Sequence, residues 1–322
     1  MMKLIKSQGT GNDFIIYDEI KYPIPMEYSR DEIAKKLCHR EMGIGADGVL
    51  YVLKSNKANA MMRIFNADGS EALMCGNGLR CFSRYIMDTQ KVDTIDVETL
   101  NATYHVRRDS TFDQYVDGYE IVLNNVEYFG QTDFVKAFEQ ALESDLHFSY
   151  VTVSNPHIAT LDTKEIPTDD VLKVYGELGN KEKAYFAQGI NVNFATILAD
   201  NKLYVRTYER GVGITKSCGT GMTSAVTTYA IVHDKLNQWV EIYNDGGKIM
   251  CYVEPVEDHY SVKFVGNATN EFETEIDLET LMYSEDIYIE PKIYLEEAQL
   301  FEAFYNKTRQ EIAKIKYENA TE

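Results

Sequence analysis

Two cysteines occupy near-copies of one motif, 143 positions apart in a chain of 322 residues. Cys75 lies in the stretch FNADGSEALMCGNGLRC, and Cys218 lies in YERGVGITKSCGTGMTSA. Each motif reads C-G-x-G and stands between a strand-like run and a helix-like run. A repeated loop with one thiol in each half predicts two thiols that face one substrate. Two opposed acid/base groups suit a reaction in which a proton leaves one face of a carbon and returns to the other.

The glycine-rich turn before each predicted helix also indicates a means of binding an anion. Backbone N–H groups at a helix N-terminus lack intrahelical partners, and with the helix dipole they attract a carboxylate. Gly76 and Asn77 in one motif, and Gly219 and Thr220 in the other, are therefore candidate substrate-binding residues. A thiol placed there is expected to have a lowered pKa. The same donors would stabilise charge that builds on a carboxylate when an α-proton is removed.

Composition narrows the function classes. The net charge is −19, from 51 acidic and 32 basic residues, which argues against a nucleic-acid partner. The chain has no apolar run of membrane length and no apolar leader at its start, so we expect a cytoplasmic protein without a membrane partner. Five cysteines without a C-x-x-C pair indicate reduced thiols, and neither a disulfide framework nor a metal site. No lysine motif marks a pocket for a pyridoxal cofactor.

Helix and strand signals alternate along the chain and predict an α+β (mixed α/β) protein. Helices are predicted over 29–41, directly after Cys75, over 133–144 and over 222–234, and region 92–128 alternates like antiparallel strands. A long amphipathic helix is predicted after Pro291. Its apolar face comprises Tyr294, Ala298, Phe301, Tyr305, Thr308, Ile312 and Ile315. That face suits packing on its own domain or on a second copy, with a binding helix for another protein as the alternative.

Six strings of the sequence together resemble the diaminopimelate epimerase family. They are GTGNDF, GIGADGVL, FNADGSEALMCGNGLRC, SNPH, GINVNF and YERGVGITKSCGTG, and the resemblance extends from the N-terminus to about residue 268. The resemblance implies two pseudo-symmetric domains, each a mixed sheet or barrel around a central helix, with the active site in a cleft between them. We therefore expect domains at 1–125 and 126–265, and a return segment with a C-terminal helical extension at 266–322.

The resemblance also implies an activity. The family interconverts L,L- and meso-diaminopimelate without a cofactor, on the route to lysine and peptidoglycan, and a homodimer is expected from it. Cys75 and Cys218 match its acid/base pair, while His157 and Glu209 match groups that help the thiols exchange protons. From the residues alone, His157 also fits a turn histidine, and Glu209 beside Arg210 also fits half of an ion pair.

Substrate recognition is expected from a second set of residues. Arg210 can grip the distal carboxylate of diaminopimelate through two parallel hydrogen bonds. The asparagines that match the family's substrate-binding positions are Asn12, Asn66, Asn155 and Asn191. Each of them, taken alone, is typical of a turn. The chain departs from the family at Asn193, where an acidic residue is more familiar, and in its C-terminal extension.

Two other functions stay open on the sequence alone. A related two-thiol racemase could act on proline, hydroxyproline or histidine, although Arg210 with the asparagines favours a substrate that has a second amino-acid centre. A thiol redox protein could instead use Cys75 and Cys218 as a reversible disulfide.

Overall fold

The computed structural model describes residues 1–181, 185–284 and 287–321. The predicted α+β class is confirmed: these residues form eighteen strands and seven helices. The chain divides into two compact units, Met1–Ile121 with Gly266–Phe304, and Val122–Val265 with Tyr305–Glu322. Residues 266–304, which the sequence groups with the C-terminal extension, thus belong to the first unit. Among the described residues, no helix is both long and apolar enough to cross a membrane.

The elements follow one another with short connections. The first are β1 (Met2–Gly9), β2 (Asn12–Asp18), α1 (Arg30–Cys38), β3 (Gly48–Leu53), β4 (Ala60–Asn66), β5 (Glu71–Ala72), α2 (Gly76–Gln90), β6 (Thr94–Glu98), β7 (Thr103–Asp109) and β8 (Gly118–Gly130). Next are α3 (Asp133–Ala141), β9 (Phe148–Thr152), β10 (Pro156–Thr160), α4 (Asp169–Lys181), β11 (Asn191–Ala199), β12 (Lys202–Glu209), β13 (Gly213–Thr215), α5 (Gly219–Val232), β14 (Trp239–Asn244) and β15 (Gly247–Val256). The last are β16 (His259–Asn267), β17 (Thr269–Ile276), α6 (Leu278–Tyr283), β18 (Lys292–Ile293) and α7 (Leu295–Thr321).

The first unit is a mixed sheet with a buried helix. Strands pair in the order β17, β1, β2, β3, β4, β6, β7 and β8; the pairs β2–β3 and β4–β6 are parallel and the others antiparallel. Helix α2 is the central helix, because residues 76–83 are all buried. Burial of apolar side chains on both the sheet and this helix supplies the main stabilisation of the unit.

The second unit repeats this layout. Strands pair in the order β9, β10, β11, β12, β14 and β15, with β10–β11 and β12–β14 parallel. Its central helix α5 is buried over residues 221–230. Several of its side chains carry hydroxyl groups, and Thr223, Thr227 and Thr228 donate to backbone carbonyls four residues earlier. These bonds satisfy polar groups that would otherwise be costly to bury.

The register of the strands shows how closely the two units match. Parallel partners Phe14 and Gly48 in the first unit correspond, 143 residues later, to partners His157 and Asn191. The same offset relates the next two pairings, where Val49–Phe65 and Ile64–Ala72 correspond to Val192–Tyr208 and Thr207–Thr215. The predicted pseudo-symmetry of the halves is thereby confirmed down to individual residue pairs.

Helix α4 is an element that the sequence patterns did not predict. It contains Gly176 and Gly179, and glycine weakens a helical signal by about 1 kcal/mol relative to alanine. The structure explains Gly176, because a Cβ there would clash with the ring of Tyr208. Close packing of the helix on β12 therefore requires the residue that obscures the helix in the sequence.

The predicted C-terminal helix is present as α7. Its inward face includes Thr308 and Ile312 as predicted, but its most deeply buried residue is Phe304, and Ala298 is exposed. The ring of Phe304 lies 5.9 Å from that of Phe112, centroid to centroid. Ile312 packs in a cluster with Leu198, Tyr204 and Tyr243. Phe304 thus packs on a side chain of the first unit, and Ile312 packs in a cluster of the second.

The burial of Phe304 predicts that the C-terminal extension contributes to the stability of the protein. Replacing Phe304 with alanine should lower the free energy of unfolding by about 3–5 kcal/mol, because the side chain is fully buried. Leu300→Ala, on the same helix but 40% exposed, is the matched control and should cost no more than about 1 kcal/mol. Urea denaturation of the two variants measures this difference. Equal midpoints of unfolding would show that the buried ring of Phe304 does not stabilise the fold.

Candidate active site

Cys75 stands at the N-cap of α2, directly after the short strand β5. Its Sγ accepts a hydrogen bond from the backbone N–H of Gly78 at 3.5 Å, and its carbonyl accepts from Leu79 N at 2.8 Å. A Cβ on Gly78 would lie 3.0 Å from Leu50 and 3.4 Å from Phe14. The third helical residue is therefore a glycine because the helix start packs tightly onto β2 and β3. Phe14 is buried there.

The amide of Asn12 links this thiol to a carboxylate. The Cys75 thiol donates to Asn12 Oδ1 at 3.7 Å, and Asn77 Nδ2 donates to the same oxygen at 3.3 Å. Asn12 Nδ2 donates to Asp47 Oδ2 at 2.6 Å. Because a carboxylate only accepts, Asp47 fixes the amide so that its oxygen faces the thiol. Asn12, Cys75 and Asn77 are thus brought together as the sequence motifs lead one to expect.

Arg40 and Lys6 hold the carboxylates of Asp47 and its neighbour Asp13 in place. Arg40 Nη2 lies 2.9 Å from Asp13 Oδ1 and 2.7 Å from Asp47 Oδ1. The buried Lys6 Nζ lies 2.7 Å from Asp13 and also donates to a backbone carbonyl. Burial disfavours the charged form of Asp13, but its bonds to Arg40 and Lys6 keep its pKa below the ordinary value. The sequence motifs did not reveal this cluster, although Asp47 lies in the GIGADG string.

Cys218 has the same position at the start of α5. Its Sγ accepts from Gly221 N at 3.4 Å, its carbonyl accepts from Met222 N at 2.9 Å, and its thiol lies 3.6 Å from Thr220 Oγ1. A Cβ on Gly221 would clash with Asn193 Oδ1. The two backbone bonds and the tight packing of the glycine have counterparts 143 residues earlier, so both thiols are held by the same local geometry.

The expected lowering of the thiol pKa does not hold for Cys218. Burial raises its pKa well above the ordinary value, and the negative charge of Glu209 raises it further. The donors Thr220 and Gly221 N–H lower it, but they are outweighed. A helix N-terminus favours a thiolate only where desolvation and a neighbouring carboxylate do not oppose it. Cys218 is therefore a protonated thiol at neutral pH, which suits a general acid.

His157 is fully buried and neutral. Burial and the nearby positive charge of Arg210 lower its pKa to about 3. Its Nε2 lies 2.8 Å from Asn155 Oδ1, and its Nδ1 lies 3.2 Å from Asn193 Nδ2. The ring thus connects a predicted substrate-binding asparagine to the interior of the unit.

The remaining predicted residues of the second unit lie along the adjacent strand ends. Asn191 donates to Pro156 O at 3.0 Å and accepts from Arg210 N at 2.9 Å. The guanidinium of Arg210 donates to Gln188 O at 3.1 Å. Glu209 accepts a hydrogen bond from Thr215 Oγ1.

The two halves differ at the positions that surround each thiol. Where the second unit has His157, Asn193 and Glu209, the first has Phe14, Leu50 and Asn66 at the same offset. Asn66 Nδ2 donates to Ser70 Oγ at 3.0 Å within the turn that follows β4. Cys218 therefore has the carboxylate of Glu209 beside it, whereas the equivalent position of the first unit holds the neutral Asn66.

None of the five cysteines is joined to another in a disulfide. Among residues 1–181, 185–284 and 287–321, no group of three or more histidine, cysteine or acidic side chains is arranged to hold a metal ion.

Comparison with known sequences identifies relatives that cover most of the chain. A family model described as diaminopimelate epimerase matches residues 4–115 and 149–269. A diaminopimelate epimerase from Clostridium acetobutylicum is 37% identical over 320 residues, covering 96% of this chain and 95% of that protein. Another from Listeria innocua is 36% identical over 280 residues, covering 82% and 85%. The relative from Clostridium acetobutylicum is thus similar over a length that includes the C-terminal extension.

Solved structures with the same fold are more distant in sequence. A phenazine biosynthesis protein of the PhzF family from Bacillus anthracis has a TM-score of 0.64 at 14% identity, covering 86% of this chain and 99% of that one. A hydroxyproline epimerase from Agrobacterium vitis has a TM-score of 0.60 at 12% identity, covering 85% and 90%. These likenesses establish the fold. The matched family model and the close sequence relatives establish more: the chain belongs to the diaminopimelate epimerase family and is an amino-acid epimerase.

Proposed function

We propose that this enzyme interconverts L,L- and meso-diaminopimelate, with Cys75 and Cys218 as the acid/base pair. The observation that carries the proposal is the duplicated N-cap, in which each thiol accepts the N–H of the third residue of a buried helix. Duplication of this detail, in units whose strand registers also match, is unexpected for two ordinary core cysteines. Relatives named for the same activity support the choice of substrate.

The proposed reaction begins with transfer of the α-proton to the thiolate of one cysteine. The resulting carbanion is stabilised by charge delocalised onto the α-carboxylate, which the backbone N–H groups at the helix starts bind. The thiol of the other cysteine then donates its proton to the opposite face of the carbon. Gly76, Asn77, Gly219 and Thr220 are the residues proposed to supply the carboxylate donors.

The surroundings of Cys218 support a proton-donor role for that thiol. Because burial and Glu209 disfavour the thiolate of Cys218, we assign Cys218 the role of proton donor to the carbanion, and Cys75 the role of the group that accepts the α-proton. When the reaction runs in reverse, Glu209 accepts the proton of the Cys218 thiol, which must then act as the base. His157, being neutral, orients Asn155 instead of carrying charge.

Recognition of the distal amino-acid centre is proposed for Arg210 and the asparagines. Asn191 holds the backbone of Arg210, and this bond anchors the chain from which the guanidinium extends. Asn12, Asn66 and Asn155 offer amide groups that can both donate and accept, as a zwitterionic substrate requires. We further propose, from the family alone, a cytoplasmic homodimer.

Removal of either thiol tests the catalytic pair. Cys75→Ala and Cys218→Ala should each lower kcat by at least about 100-fold, since each removes one proton-transfer group. Cys251→Ala, a buried cysteine outside both motifs, is the matched control and should keep most activity. Chiral chromatography of diaminopimelate gives the rates, with proline, hydroxyproline and histidine assayed in parallel. Full activity in either motif variant would contradict the proposed catalytic pair. Faster turnover of another amino acid would show that diaminopimelate is not the preferred substrate.

The acidic neighbour of Cys218 predicts a change in thiol titration. Glu209→Gln should lower the pKa of Cys218, because it removes a negative charge that disfavours the thiolate. The ultraviolet absorbance of the thiolate should therefore appear at lower pH, after subtraction of the Cys218→Ser background. Glu254→Gln, which removes a carboxylate paired with Lys263, should leave the titration unchanged. A pKa of Cys218 that is unchanged or higher in Glu209→Gln would show that Glu209 does not disfavour the thiolate.

Substrate anchoring predicts a separate effect at Arg210. Arg210→Lys should raise KM for diaminopimelate about 10-fold, near 1.4 kcal/mol, because an ammonium cannot copy a bidentate bond. The value of kcat should change less, since the distal centre does not react. Steady-state kinetics separate the two parameters, with Arg107→Lys as a surface control. An unchanged KM would show that this guanidinium does not bind substrate.

A further inference from the structure

Asn193 is a fully buried polar residue on β11 whose amide has hydrogen-bond partners at both its nitrogen and its oxygen. Its Nδ2 lies 2.9 Å from Ile158 O, 3.1 Å from Ser224 Oγ and 3.2 Å from His157 Nδ1. Its Oδ1 accepts from Thr207 Oγ1 at 2.9 Å. The NH₂ group has two hydrogens for these three neighbours, so the orientation of the amide is decided by which neighbours can only accept.

The surrounding groups decide that orientation. The carbonyl of Ile158 can only accept, so the NH₂ end of Asn193 must face it. The hydroxyl of Ser224 donates its hydrogen to Gly221 O at 2.9 Å, which leaves its oxygen to accept from the same NH₂ group. The amide nitrogen, rather than the oxygen, therefore faces the imidazole of His157.

This orientation determines where the ring carries its proton. Nδ1 of His157 lies against an NH₂ group, which cannot accept a hydrogen bond, so a proton on Nδ1 would have no acceptor there and the proton of the neutral ring lies on Nε2. Nε2–H then donates to Asn155 Oδ1 at 2.8 Å, which fixes the end of that amide facing the ring. In the first unit Leu50 occupies the position of Asn193, and leucine cannot set a tautomer.

We propose that Asn193 is a positioning residue, which holds His157 as the Nε2–H tautomer and thereby orients the amide of Asn155 for substrate. The inference rests on the proposed function in one respect, because it takes Asn155 as part of the substrate site. The family resemblance marks Asn193 only as a departure from a more familiar acidic residue. The hydrogen bonds give that departure a chemical consequence, since a carboxylate would accept where this amide donates.

The tautomer is directly observable in the full-length enzyme. A proton–nitrogen correlation spectrum, assigned by the signals lost in His157→Phe, should show Nδ1 unprotonated and Nε2 protonated at neutral pH. Phenylalanine is a suitable replacement because Phe14 fills the equivalent position of the first unit. A protonated Nδ1 in the wild-type enzyme would overturn the proposal, whatever the activity of any variant.

A pair of variants tests the role of the amide. Asn193→Asp presents only acceptors, so Nδ1 of His157 should become protonated and kcat/KM for diaminopimelate should fall about 10-fold. Ser224→Ala removes an acceptor of Asn193 without changing the atom that faces the ring, and it should keep the wild-type tautomer. Unprotonated Nδ1 in Asn193→Asp, or a reversed tautomer in Ser224→Ala, would contradict the proposal.

Failure of the proposed positioning role of Asn193 is distinguishable from failure of the proposed function. If Asn193→Asp reverses the tautomer but retains full kcat/KM, the positioning role is wrong while the two-cysteine mechanism stands. If Cys218→Ala retains full activity, the mechanism is wrong, but the tautomer and its dependence on Asn193 are still read from the spectra.

Discussion

The hydrogen bond from the third backbone N–H of each central helix to a cysteine Sγ is the constraint on which the site depends. It holds a thiol where the donors of a helix start converge, and it requires a chain that leaves its strand shortly before the cysteine. It also requires glycine at the donating position, because Gly78 and Gly221 both lie against side chains from neighbouring strands. The sheets, the buried helices and the C-G-x-G pattern thus serve one local geometry in each unit.

Duplication preserves that geometry while the surroundings diverge. Positions related by the 143-residue offset keep their strand partners, yet Phe14 corresponds to His157 and Asn66 to Glu209. The consequence is electrostatic, because Glu209 disfavours the thiolate of Cys218 and no carboxylate occupies the equivalent position. A symmetric backbone with asymmetric side chains thus places a carboxylate beside one thiol and a neutral amide at the equivalent position of the other unit.

The sequence predicted the local features of the site and missed the longer-range ones. The cysteine loops, α2 and α5 were recognisable because glycine turns and helix starts are encoded by adjacent residues. Helix α4 was not, since Gly176 is required by packing against Tyr208, a residue remote in sequence. The raised thiol pKa of Cys218 also depends on burial that a motif does not reveal. One further signal was available in the sequence: the 143-residue spacing that relates the cysteines also relates Asn12 to Asn155.

The central claim is that two different sulfur atoms move protons on opposite faces of one α-carbon. The most direct measurement is to run the wild-type enzyme on L,L-diaminopimelate in heavy water and to follow deuterium in substrate and product at early times. Two monoprotic bases predict product that carries solvent deuterium at the inverted centre, beside recovered substrate that is still unlabelled. Product that retains the original hydrogen would mean that a single group carries it across, and the two-thiol mechanism would be wrong.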